Sequence, residues 1–340
     1  MEADLVKRAG LPFRAIPAAG VHGVGLRALP ANLWRLGRGY LSARRVLGEF
    51  HPQVLLFTGG YLAVPVALAA RTNLKPGHRP RSLVFVPDIE PGLALKTLIR
   101  FADHVAVVNE KSQAFLPGRI PVNVSGYPVR SDLRCMSKDR GRAILKLQDN
   151  LRTLLVLGGS RGARSINRAL IAALPQLLAE MQVVHISGQL DWNEVLENRQ
   201  KLAPEQAERY YAAPYLHEEM GAAFSAADLV VSRAGASTLG EYPLFGLPAL
   251  LVPYPYAWRY QRTNAAYLVE KGAAMQLQDE DLPRRLLSVV QDIMRDENRR
   301  TSMGMAMSAL AQPRAAETIA ELLSGLVLDT AREGNPTWSA

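Results

Sequence analysis

Ten short apolar, β-branched runs, each separated from the next by a helix-length stretch, constrain this chain more than any other feature. Four lie in the first part of the sequence: Val54–Phe57, Leu83–Val86, Val105–Val108 and Val122–Val124. Six follow: Thr153–Leu157, Val183–Ile186, Tyr211–Ala213, Leu229–Ser232, Leu250–Val252 and Ala274–Leu277. No pair is joined by a tight-hairpin signal, so the pattern predicts βαβ units and parallel sheets. A chain of 340 residues is too long for one ordinary α/β domain and comfortable for two of roughly 150 residues. Residues Ser131–Asn150 are polar, charged and weakly periodic, which predicts a first domain over 1–135, a linker at 136–150 and a second domain over 151–326. A closing helix is expected at Arg314–Leu326, with a frayed tail over 327–340.

Charge is unevenly placed. Residues 1–150 hold 22 Lys and Arg against 10 Asp and Glu, whereas residues 151–340 hold 18 against 21. A basic first half suits an anionic partner: lipid head groups, phosphates or nucleic acid. Leu26–Leu47 interleaves Trp34, Leu36, Tyr40 and Leu41 with Arg27, Arg35, Arg38, Arg44 and Arg45. That is the composition of a helix at an anionic membrane interface, and equally of a helix packed on a sheet with solvated arginines. The single cysteine, Cys135, excludes an intramolecular disulfide and a multi-thiolate metal site. The start, MEADLVKRAG, lacks the apolar core of a signal peptide and reads as the interior of an amphipathic helix, so a preceding segment is expected. No apolar run approaches the ~20 residues of a membrane span.

Three strand-to-helix turns of the second half carry the chemistry. Thr153–Leu157 runs into Gly158, Gly159, Ser160, Arg161 and Gly162, a turn able to expose amide N–H groups to an anion at a helix start. Leu229–Ser232 leads to Gly235, Ala236, Ser237, Thr238, Leu239, Gly240 and Glu241. Ser237 and Thr238 are expected in the first turn of a helix, holding a diphosphate without a metal, and Glu241 one turn further in can accept hydrogen bonds from ribose hydroxyls. Leu250–Val252 leads to Gln261 and Asn264, whose amides are expected to point into the crevice at the strand ends.

The segments GGSRGAR, SRAGASTLGE, GLPALLVPYPYAWRYQRTNA and GYPVR, with the opening MEADLV, together resemble the MurG-type UDP-N-acetylglucosamine transferases over roughly residues 1–325. The resemblance implies a GT-B fold of two Rossmann-like domains facing a central cleft. It also implies inverting, metal- and cofactor-independent transfer of GlcNAc from UDP-GlcNAc to the lipid-linked MurNAc-peptide of peptidoglycan synthesis. The expected location is peripheral, on the cytoplasmic face of the membrane, so the anionic partner becomes the membrane surface and not nucleic acid. Donor contacts carried over from the family fall on Arg130, Ser160, Leu216, Ala236, Ser237, Thr238, Leu239, Gly240, Glu241 and Gln261. The backbone at Leu216 is expected to meet the base, the helix start the diphosphate, and Glu241 the ribose.

Two departures bear on the first domain. The family's opening strand and GGTGGH loop, with a histidine considered for catalysis, precede the point where this sequence begins. The first domain is therefore expected to be N-terminally incomplete and the chain to bind donor while turning over poorly. The family's HEQN segment appears as Phe85-Val86-Pro87-Asp88, with Asp88 where an Asn is expected. His22, His51, His78, His104, His185 and His217 lie in no motif and read as structural or exposed. Asp88 and Glu90 remain as candidates for a general base, on an irregular loop between Pro87 and Pro91. Alternatives are another UDP-sugar transferase acting on a lipid acceptor, or a non-catalytic nucleotide-sugar-binding protein or half-enzyme.

Overall fold

A computed structural model describes residues 2–17, 29–72, 79–133, 135–159, 162–256 and 260–333. The first unit contains α1 (Glu2–Arg8), α2 (Leu29–Phe50), β1 (Val54–Phe57), α3 (Ala63–Arg71), β2 (Arg81–Val86), α4 (Leu93–Ile99), β3 (His104–Val107) and β4 (Val122–Val124). Its four strands are parallel, in the order β1-β2-β3-β4. Strand pleating sends alternate side chains of β2 to opposite faces. Val84 and Val86 pack against Leu95, Leu98 and Ile99 of α4, while Leu83 and Phe85 face the other way.

The second unit contains α5 (Lys138–Leu145), β5 (Thr153–Leu157), α6 (Arg164–Glu180), β6 (Gln182–Ile186), α7 (Trp192–Arg199), α8 (Pro204–Glu208), β7 (Tyr210–Ala213), α9 (Met220–Ala226), β8 (Leu229–Ser232), α10 (Glu241–Phe245), β9 (Ala249–Leu251), α11 (Tyr260–Glu270), β10 (Ala274–Gln276), α12 (Leu282–Arg295) and α13 (Glu297–Ser308). Its six parallel strands run in the order β10-β9-β8-β5-β6-β7. The chain winds outward from β5 to β7, then returns to the middle and winds the other way. One layer of core, from α6 and α12, covers one face; α5, α9, α10 and α11 help cover the other.

All ten expected strands form, four with the expected bounds and six with end shifts of one or two residues. Two boundaries differ. The stretch expected as a linker over 136–150 contains α5, capped by Ser137 Oγ accepting from Arg140 N at 3.3 Å, and its Leu145 is 2% exposed. Gly141 interrupts the apolar pattern there for a packing reason: a Cβ would lie 2.7 Å from Ala222 O of α9. The closing helix α14 (Ala315–Glu333) runs beyond Leu326, through the first part of the expected tail. It also leaves the second unit, laying Ile319 on Leu83, Phe85 and Ala106 of the first sheet. Both faces of that sheet are thereby covered, as a parallel sheet requires.

α2 packs on α3 through one side and leaves large apolar side chains exposed elsewhere. Ala43 and Leu47 pack with Ala69 and Ala70 of α3, and the Tyr40 hydroxyl meets Thr72 Oγ1 at 2.8 Å. On the opposite side, Trp34 and Leu41 are 64% and 65% exposed, and the Arg38 guanidinium lies 4.8 Å from the centre of the Trp34 ring.

Candidate active site

The carboxyl ends of β5, β8 and β9 open onto a cavity of about 990 Å³. It lies beside the reversal of strand order between β5 and β8, the place where open α/β sheets bind ligands. Its volume is near the top of the range for small-molecule pockets.

Two glycines of the turn after β5 are required by close backbone approach, one within the turn and one to the end of β6. A Cβ on Gly158 would lie 2.2 Å from Ala163 N, and one on Gly162, at φ +78°, 2.2 Å from Ser187 O. Gly159, at φ +80°, faces open space, so backbone is what this residue offers to the cavity. Ser160 lies outside the described residues. Arg164, Ser165 and Arg168 continue the cavity wall along α6.

The turn after β8 differs in detail from the expected single helix. Ala236–Leu239 form a 3-10 turn, and Glu241 is the first residue of α10, not a residue one turn inside a helix. The reason is local: the Thr238 hydroxyl donates back to Gly235 O at 2.7 Å, tightening the turn. Ser237 and Thr238 still line the cavity, but the Thr238 hydroxyl is committed to the turn. Ser237 bonds to the Glu241 carboxylate, and the charge of Arg130 also reaches it. Burial nevertheless dominates and raises the Glu241 pKa above its ordinary value, with Ser237 and Arg130 opposing. Arg130 itself is 3.6 Å from Asp132. Leu239 is 7% exposed, and a Cβ on Gly240 would meet Tyr127 at 2.9 Å; these two residues dock the first unit. Leu216, 4% exposed, has its side chain in the same core, so only its backbone is available to a ligand.

At the third turn, Gln261 lines the cavity. Its Oε1 accepts from Tyr254 N at 2.8 Å, which leaves the Nε2 amide to donate toward a ligand. Asn264 does not face the crevice. Fully buried, it clasps the two units: Ile89 N donates to its Oδ1 at 3.0 Å, and its Nδ2 donates to Asp88 Oδ1 at 2.7 Å and to Ala234 O at 3.2 Å. Burial raises the Asp88 pKa, with the Asn264 hydrogen bond opposing. Glu90 lies in the loop before α4, its buried carboxylate 3.4 Å from Lys96 Nζ. Neither acid is among the residues lining the 990 Å³ cavity.

Sequence reasoning missed Arg233, which ties the turns together. Its Nη1 donates to Asp279 Oδ1 at 2.5 Å and to Val252 O at 3.1 Å, and its Nη2 to Ser165 Oγ at 2.8 Å. The available signal was an arginine placed directly after a buried strand. His185 is fully buried, whereas His51 and His217 are exposed and His104 pairs with Asn123 at the surface. His22 and His78 lie outside the described residues. Among the described residues, no three His, Cys, Asp or Glu are grouped to hold a metal ion.

Residues 1–107 match the glycosyltransferase family 28 N-terminal domain, and residues 153–320 the family 28 C-terminal domain. The UDP-N-acetylglucosamine--N-acetylmuramyl-(pentapeptide) pyrophosphoryl-undecaprenol N-acetylglucosamine transferase of Roseiflexus sp. (strain RS-1) is 40% identical, over 96% of this chain and 82% of that protein. The chain belongs to the MurG family of glycosyltransferases. The transferase of the same name from Desulforudis audaxviator (strain MP104C) is 36% identical over 96% of this chain and 87% of its own length. The crystal structure of Acinetobacter baumannii MurG superimposes with a TM-score of 0.72 at 28% identity, covering 96% of this chain and 88% of that one. The two-sheet GT-B architecture of this chain is thus that of the MurG fold.

Proposed function

We propose that this chain transfers GlcNAc from UDP-GlcNAc to a lipid-linked MurNAc-pentapeptide, inverting the anomeric centre and using no metal. The observation that carries this reading is the convergence of three strand-to-helix turns on one cavity at the sheet's switch point, in a chain related along nearly its whole length to transferases of that name. Glu241 accepts the ribose hydroxyls, and the Leu216 backbone meets the base. The amides of Ala236 and Ser237, with Ser160 and Arg130, hold the diphosphate, and Gln261 donates to the sugar. The acceptor hydroxyl attacks the anomeric carbon, the bond to the diphosphate oxygen breaks, and UDP leaves. Fixed N–H groups and Arg130 stabilise the charge that develops on the diphosphate. The hydroxyl's proton passes to a base; Glu90 is engaged with Lys96, which leaves Asp88 as the candidate to test by Asp88→Asn.

The acceptor reaches the cleft from a membrane surface. α2 offers the exposed Trp34 and Leu41 beside Arg35, Arg38, Arg44 and Arg45, as an interfacial helix does on anionic lipid. Among the described residues no helix is long and apolar enough to cross a membrane, and attachment is peripheral, on the cytoplasmic face.

The donor assignment is tested by titrating UDP into wild type and Glu241→Ala. Loss of a charge-assisted pair to the ribose costs about 1.5–3 kcal/mol of affinity. Equal affinities would remove the ribose role from Glu241.

A further inference from the structure

Arg164, the first residue of α6, lies on the cavity wall and has no part in the contacts assigned above. Its Nε donates to Asp191 Oδ1 at 2.8 Å, and that carboxylate is only 5% exposed. Behind it stands a chain of buried groups. Asn167 Nδ2 donates to Asp191 Oδ2 at 2.9 Å and to Ser187 O at 2.8 Å. With its amide nitrogen so engaged, Asn167 presents Oδ1 to His185 Nε2 at 3.0 Å, and a carbonyl oxygen only accepts. His185 must therefore carry its proton on Nε2. Its Nδ1 is then the acceptor for the Tyr210 hydroxyl at 2.7 Å. Burial holds the His185 pKa down to about 3, with Asp191 opposing, so the ring stays neutral and this tautomer is fixed near neutral pH.

Every donor in the chain points toward Asp191: Tyr210, His185 and Asn167 from the core, Arg164 from the cavity. Apolar side chains of similar volume commonly stabilise a core as well as a buried charged network does. What the network adds is orientation. An arginine held through Nε keeps the outer edge between its two terminal nitrogens free, a planar fork suited to phosphate oxygens. The cavity that Arg164 borders is shared with Gly158, Gly159, Gly162 and Ser237.

We infer that Arg164 contacts the diphosphate of the bound nucleotide, and that Asp191, Asn167, His185 and Tyr210 are positioning residues acting through it. This rests on the donor-site reading above and assigns it a cation within the second unit itself.

Titrations of UDP and of uridine, which lacks the phosphates, separate the possibilities. Arg164→Met is expected to weaken UDP by roughly 10–100-fold, the range of a charged hydrogen bond, and to leave uridine unchanged. Arg164→Lys should recover only part of the loss. Asp191→Ala should weaken UDP in the wild-type background and have no further effect in Arg164→Met, a coupling that a merely structural role would not produce. Unchanged UDP affinity in Arg164→Met, or equal losses for UDP and uridine, would overturn the inference while leaving the donor site in place. If wild type binds neither ligand, the donor-site reading falls and this inference with it.

Discussion

Asn264 is the residue whose loss should be felt most widely, because one side-chain amide satisfies groups from both units. Asn264→Ala leaves three partners without it: the Ile89 N–H, the Asp88 carboxylate and the Ala234 carbonyl. Ile89 is 1% and Ala234 0% exposed, so water does not readily replace the amide there. A buried donor or acceptor left unpaired costs about 1–3 kcal/mol, and more if charged. Asp88 is only partly buried and can escape by taking a proton, which discounts its share. The carbonyl bond, at 3.2 Å, is the longest of the three and contributes least. The sum is roughly 3–5 kcal/mol, a large fraction of the stability of an ordinary domain. Urea unfolding of wild type and Asn264→Ala, followed by both circular dichroism and tryptophan fluorescence, measures it. A loss below about 1 kcal/mol would refute the clasp, since surface changes alone have effects of that size.

Asp88→Asn removes a carboxylate whose pKa is raised by burial in the fold. A raised folded pKa means that the stability it contributes is present below the unfolded pKa and lost as pH rises through the folded value. The variant should therefore melt higher than wild type near neutral pH, with the gain shrinking as pH falls into the carboxylate range; a melting difference independent of pH would contradict this. Glu241 is shifted in the same direction, so the comparison is made against wild type at each pH. On α2, each arginine near anionic lipid contributes about 1 kcal/mol. Replacing Arg35, Arg38, Arg44 and Arg45 together by Gln should release the protein from anionic vesicles in sedimentation, as should high salt, and salt-insensitive binding would return the helix to a packing role.

The strands were plain in the sequence because parallel strands covered on both faces are continuous apolar runs: Leu83, Val84, Phe85 and Val86 are all buried, on alternate sides. What the sequence hid depends on the opposite unit. Gly141 breaks the periodicity of α5 to let α9 approach, although Ser137 and Asp139 already carried the signal of a helix start. The apolar spacing of α14 was visible, but not that it would cover the first sheet. The turns after β5 and β8 stand where the sequence placed them, yet Thr238 bonding back to Gly235 moved Glu241 to the start of α10. Asn264 was expected to face the crevice and instead clasps Asp88 and Ile89, residues 175 or more positions away in the chain. No local pattern encodes such a pair. Arg164 passed unnoticed for the same reason, since Asp191 and His185 join it only in the fold.

The central claim is a transfer reaction, and its most direct measurement is the product. UDP-GlcNAc carrying labelled sugar is incubated with the chain and a lipid-linked MurNAc-pentapeptide in detergent, and both released UDP and labelled lipid are followed. The account predicts that label enters the lipid with β configuration, one UDP released for each GlcNAc transferred, with chelator making no difference. UDP release without labelled lipid, or labelled lipid of retained α configuration, would contradict it.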